Sequence, residues 1–311
     1  MDRSRLLTVI SEVSEARILN HIHALEGEKH PESSPDALRA TVDYLADQMR
    51  SAGLAPTRQA IDTEAFALFP NVIGRLAEKF STPGSSEKER LVIGAHYDTV
   101  ASSPGADDNA SGLAVLLEVA RVVSGRTLPG IVGKRVPEFV AFSMEEAGFI
   151  GSDYYVQEAE GSGAPLWGAI ILECVGYTDR RPGSQQVPPG FPIRLPDKGD
   201  FIGLVGNARA APIQAAFESA AKEAAPTLSY IGLLVPGGGE AVPDTRRSDH
   251  VPFWDRGHRA VMLTDTANFR NPNYHRESDR LETLDIAFVS DVARALAATV
   301  IDLCGLEIVS R

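Results

Sequence analysis

The sequence predicts a three-layer α/β/α sandwich whose central mixed sheet is mostly parallel. Three observations lead there. Short apolar, β-branched runs such as Leu91, Val92 and Ile93 alternate with segments of helical periodicity, the rhythm of βαβ units. Acids and histidines stand at the exits of several of these runs, where open α/β sheets place their ligand sites. The 311 residues are enough for a large buried core, and they show no internal repeat and no linker. Residues 1–311 are therefore expected to form one domain, with 1–55 a helical lead-in packed on it.

In chain order, apolar residues recur at helical spacing from Leu6 to Leu25. Ser33 or Ser34 followed by Pro35 starts a second helix, which Gly53 terminates. Extended runs follow at 56–61 and 70–76, and a polar turn at 81–90 leads into the strand LVI at 91–93. Small residues crowd the loop after it, letting the backbone turn tightly and bring Asp107 and Asp108 back beside His96 before an amphipathic helix at about 111–123. Further strands are expected at 136–142, 167–175, 201–205, 228–235 and 260–264, with helices at 211–225 and 286–303. Residues 176–199 hold five prolines, too many for regular structure, and a loop of this length is expected to overhang the site.

Composition excludes several classes. A net charge of −12 argues against a nucleic-acid partner, which needs a basic face. The apolar runs are too short to span a bilayer, and the N-terminus lacks the apolar stretch of a signal peptide, so a cytoplasmic location is expected. Two cysteines, Cys174 and Cys304, make no disulfide framework and are expected to pack as small hydrophobes. HExxH, CxxC, GxSxG and Walker patterns do not occur.

Chemistry concentrates at four places. His96 and Asp98 leave a strand end on the same side, which suits a metal-binding imidazole and a group that orients it. Asp107 or Asp108 could add a carboxylate shared between two metal ions. Glu145 and Glu146 are adjacent, so they point apart and can divide metal binding from general-base work. Glu173 is an acid at the end of a buried strand, equally open to metal binding or to pairing with an arginine. Of seven histidines, four read as surface or structural, while spacing leaves His250 and His275 both open.

Taken together, the ordered set GAHYD, GADDNASG, SMEEAGFIGSDYY, ILECVG, SDHVPF and YHRESDRLETLD resembles the metallopeptidases of family M28, which include di-zinc aminopeptidases, glutamate carboxypeptidases and glutaminyl cyclases. The resemblance runs from about residue 71 to 303 and implies a zinc-exopeptidase-like fold. It implies that His96 and Glu173 bind one zinc ion, Glu146 and His275 the other, and Asp108 both, with Asp107 a neighbour and the 108–109 bond cis. It implies Asp98 as the group orienting His96, Glu145 as general base and Tyr274 as the residue polarising the substrate carbonyl. Ser248 and Asp249 would support the ligands, leaving His250 structural. The chain departs from the family's aminopeptidases in carrying Glu173 where aspartate is usual. It departs from the cyclases in carrying Tyr274 where tryptophan is usual. The implied activity is zinc-dependent removal of N-terminal residues from a peptide or small amide. A carboxypeptidase, amidohydrolase or cyclase on the same scaffold is the alternative, and a non-catalytic binding module a further one.

Overall fold

The computed structural model describes residues 3–61, 69–76, 88–126, 134–163 and 165–307. Their strands are β1 (Leu54–Gln59), β2 (Asn71–Leu76), β3 (Glu89–His96), β4 (Arg135–Phe142), β5 (Leu166–Glu173), β6 (Phe201–Asn207), β7 (Ser229–Val235) and β8 (Ala260–Thr264). They join in one sheet of order β1-β2-β4-β3-β5-β8-β6-β7. The centre, β4-β3-β5-β8, is parallel throughout. Antiparallel pairs occur where β1 meets β2, β2 meets β4 and β6 meets β8.

Side-chain alternation assigns each strand to two cores. Leu91, Ile93 and Ala95 face one way, with Phe139, Ala141, Ile170 and Leu172, while Val92 faces the other with Val140, Ala169 and Ile171. Because both faces are covered, the central strands read as continuous apolar runs rather than alternating ones. The first core is closed by α1 (Arg3–Ile10), α2 (Glu15–Leu25), α3 (Pro35–Ser51), α4 (Gly112–Arg126), α6 (Ala211–Ala224) and α8 (Ile286–Cys304). The second is closed by α5 (Ile150–Gly161) and α7 (Val251–Asp255). Gly94 is required at the centre, since a Cβ there would lie 2.3 Å from the Phe142 ring.

Two expectations change. The helical run from Leu6 to Leu25 is two helices, because Ser14 caps α2 through Arg17 N–H and gives its own N–H to Glu118 Oε1 at 2.8 Å. The helix after the acidic loop, α4, is not amphipathic. Leu113 to Leu117, Val119, Ala120 and Val122 are all buried, so it is apolar all round and lies between the sheet and α2, α3 and α8. Its one buried acid, Glu118, is paired with Arg121 at 2.7 Å. Most of the turn expected at 81–90 lies outside the described residues. Cys174 and Cys304 are buried and free, and among the described residues no helix is long and apolar enough to cross a membrane.

Candidate active site

Parallel pairing brings the chemistry together. His96 ends β3, Glu173 ends β5, Glu145 and Glu146 follow β4, and His275 lies on the loop after β8. All four strands finish at the same edge, with His96 in register with Phe142 and Glu173 with Thr264. The turn from Ala106 to Ser111 then delivers Asp108. Gly105 starts this turn at φ +64°, where a Cβ would lie 2.5 Å from Asp108 O. Asn109 fastens its far side, donating from Nδ2 to Leu172 O at 2.8 Å, and the Asp108–Asn109 bond is cis. Met144, Cys174 and His275, each beside or at an acid or imidazole of the cluster, take positive φ values of 54°, 49° and 59°. Such backbone strain in non-glycine residues is characteristic of functional sites.

Asp108 stands at the middle. Its Oδ1 lies 3.1 Å from His96 Nε2, and its Oδ2 lies 3.0 Å from His275 Nε2. Glu173 Oε2 lies 3.3 Å from His96 Nε2, and Glu146 Oε1 lies 3.3 Å from His275 Nε2. His96 Nε2 and Asp108 Oδ1, which face each other, and Glu146 Oε1, which faces His275, are buried yet have no hydrogen-bond partner. Two imidazoles and three carboxylates converging in this way fit zinc, which takes nitrogen and oxygen donors in small tetrahedral sets. Glu145 also comes within ligand reach of His96 and Glu173.

Burial and charge perturb these groups strongly. Burial alone would lower His96, but the charges of Glu145 and Glu173, with Asp108 and Asp98 alongside, raise it well above the ordinary imidazole value. His275 is raised to about 10, because Asp108 and Glu146 outweigh its burial. Burial and the charge of Asp108 raise Glu146 to about 7. Burial likewise raises Glu145 well above the carboxylate range, with Glu173, Asp249 and Glu146 adding to the effect and His96 opposing it.

Neighbours hold the cluster in place. His96 Nδ1 is 3.2 Å from the main-chain carbonyl of Asp98 and 3.7 Å from its carboxylate. That carboxylate accepts the N–H groups of Glu145 and Glu146 at 3.0 and 3.1 Å. Ser248 Oγ donates to Glu173 Oε2 at 2.7 Å, Cys174 Sγ lies 3.3 Å from Oε1, and Ser152 Oγ donates to Asp249 Oδ1 at 2.6 Å. Among the described residues Glu173 has no arginine as an ion-pair partner. Asp107 turns away from the cluster, accepting from Gly176 N–H and Asn271 Nδ2 at 2.9 and 2.7 Å. The Tyr274 ring stacks on His275 at 3.9 Å between centroids. His250 is elsewhere, with Nε2 2.8 Å from Thr245 O.

The sequence did not single out Asp279 or Lys29. Asp279 accepts the N–H groups of Asp107 and Asp108 at 2.9 and 3.1 Å. Lys29 is fully buried behind the loop, its Nζ donating to Leu25 O and Gly27 O and its backbone N–H to Thr99 Oγ1. Burial lowers it to about 8 against the pull of Asp279, Asp108 and Asp98. The only sequence signal was a charged residue in a turn, which is commonplace.

A pocket opens beside the cluster. Glu173 and Tyr274 line it together with Val205, Met262 and Phe269, and with Pro188, Phe191 and Leu195 of the 176–199 segment. Gln185 ties that segment down through Thr266 and Arg270, so it overhangs the site as an ordered loop.

The sequence profile of peptidase family M28 matches residues 71–300. YfbL of Escherichia coli (strain K12) is 33% identical over 277 residues, covering 85% of this chain and 80% of that protein. Aminopeptidase YwaD of Bacillus subtilis (strain 168) is 28% identical over 243 residues, 74% of this chain but only 45% of YwaD, so the chain spans less than half of that relative. The LapA aminopeptidase of Legionella pneumophila has a similar fold, with a TM-score of 0.76 at 16% identity over 99% of this chain and 76% of LapA.

Proposed function

The chain belongs to peptidase family M28, and from that premise we propose that it is a zinc-dependent aminopeptidase holding two metal ions. The observation that carries this reading is the bridging position of Asp108, one oxygen toward His96 and the other toward His275. His96 and Glu173 would hold one zinc, Glu146 and His275 the other, and Asp108 both. Bound there, zinc supplies a Lewis acid for the scissile carbonyl and water of lowered pKa.

The chain's own residues do the rest. Glu145 takes the proton of the attacking water and returns it to the leaving amine, a task for which a raised carboxyl pKa is suited. Asp98 fixes the position of Glu145 by binding its N–H. Tyr274, whose hydroxyl burial keeps protonated, donates to the carbonyl oxygen as negative charge develops on it. Ser248 holds the carboxylate of Glu173 through its hydroxyl. Recognition of the free amine of the substrate by carboxylates of the cluster confines cleavage to the N-terminal residue.

Metal analysis combined with hydrolysis of aminoacyl amides tests this. About two zinc ions per chain and loss of activity on chelation, restored by zinc, are expected. A chain that binds no zinc when it is supplied in excess sinks the reading.

A further inference from the structure

The pocket beside the cluster mixes apolar side chains such as Phe191, Leu195, Val205 and Met262 with polar ones, among them the acids Glu173 and Asp244. Arg247 is its only basic lining residue, standing with Glu173, Phe269 and Tyr274. Its guanidinium lies 5.8 Å from the centroids of both the Phe269 and Tyr274 rings, above the tyrosine that stacks on His275. It donates to Asn268 Oδ1 at 2.6 Å, a neutral partner, and the ion pairs among the described residues do not include it. Asp244 shares the pocket wall without pairing with it. Four arginines of the flanking segments are already engaged. Arg246 grips Asp255 with both contacts under 3 Å, Arg180 meets Asp285, Arg181 meets Asp179, and Arg270 is buried against Gln185 and the Phe201 ring.

A guanidinium held in place by one amide, next to aromatic faces and short of an anion, is a ready carboxylate receptor. Its planar donors match the two oxygens, and the apolar walls strengthen the attraction by excluding water. We infer that Arg247 recognises a carboxylate of the substrate, making this enzyme selective for dipeptides or for peptides with an acidic residue next to the cleaved bond. This rests on the aminopeptidase reading above and narrows its substrate class.

The experiment compares kcat/KM for a leucyl dipeptide and its C-terminal amide, and for glutamyl and glutaminyl anilides, in the zinc-loaded enzyme. The dipeptide pair isolates a terminal carboxylate, and the anilide pair a side-chain one. A preference of roughly ten- to a hundredfold for the acid in one pair is expected, the worth of a charge-assisted hydrogen-bonded pair. Arg247→Gln should erase that preference while the neutral member of the pair is still cleaved, and Arg247→Lys should restore part of it. Asn268→Asp supplies Arg247 with an anion of its own and should erase the preference with the arginine in place. Neutral substrates cleaved as well as acidic ones by the wild type overturn the carboxylate role and leave the aminopeptidase reading standing. Cleavage of none of the four overturns both.

Discussion

The carboxylate of Asp98 accepts the backbone N–H of Glu145 at 3.0 Å. The same carboxylate takes the N–H of Glu146 at 3.1 Å, while the main-chain carbonyl of Asp98, rather than its side chain, is the nearer partner of His96 Nδ1. One residue at the exit of β3 thus positions a proposed ligand from its own strand and the proposed base and ligand that follow β4. Parallel pairing of β3 with β4 makes this possible, because both exits lie at the same edge.

Asp98→Ala leaves two buried N–H groups unpaired, each costing roughly 1–3 kcal/mol. It should lower the melting temperature, and kcat should fall by about a hundredfold because a base misplaced by an ångström is a poor base. Asp98→Asn, which keeps one acceptor oxygen, should fall between. Wild-type kcat in Asp98→Ala would remove Asp98 from the scheme.

Glu145→Gln and Glu146→Gln separate base from ligand. The first should keep its zinc and lose roughly a hundred- to ten-thousandfold in kcat, since only proton transfer is removed. The second should lose zinc from the side of the cluster that His275 shares. Equal zinc contents in the two purified variants, measured by elemental analysis, would refute this division.

Zinc binding should release protons. In the metal-free cluster His275 is raised to about 10, so it is protonated near neutral pH and must give up that proton to become a ligand. Affinity should therefore fall about tenfold for each pH unit below about 10, per proton displaced, and so throughout the neutral range. Calorimetry in buffers of different ionisation enthalpy measures the release, and an affinity flat between pH 6 and 8 would contradict it.

What was legible in the sequence follows from where each group sits. His96, the Glu145–Glu146 pair and Glu173 could be read because a charged residue at the exit of an apolar strand stands out against its neighbours. The choice of His275 over His250 came from family resemblance, since both follow turn-rich segments beside an acid. The supports were not legible. Asp279 reaches Asp107 across 172 positions, and Lys29 comes from a turn before α3, outside the segment that the family profile matches. The burial of α4 on all sides depends on α2, α3 and α8 arriving from both ends of the chain. In the sequence Arg247 does not stand out from Arg246 beside it; the fold separates them, pairing Arg246 with Asp255 and giving Arg247 the neutral Asn268.

His250 supplies a stability test away from the metal ligands. Burial pushes its imidazole down to about 4, and Nδ1 is buried with no hydrogen-bond partner, so a second proton would have no acceptor there. The folded pKa lies below the unfolded value near 6.5. The stability associated with the neutral ring is therefore fully present above pH 6.5 and lost as pH falls toward 4, at about 1.4 kcal/mol per unit. His250→Gln retains a donor for Thr245 O but cannot titrate. The variant should be less stable than wild type at pH 7.5, because its side chain fits the Trp254 ring less well. That deficit should shrink by about 2 kcal/mol at pH 5, as wild type alone bears the cost of protonation. Denaturant unfolding of both proteins at the two pH values measures the difference, and acids common to both cancel in it. A deficit unchanged by pH would mean that His250 is not held neutral in the folded protein.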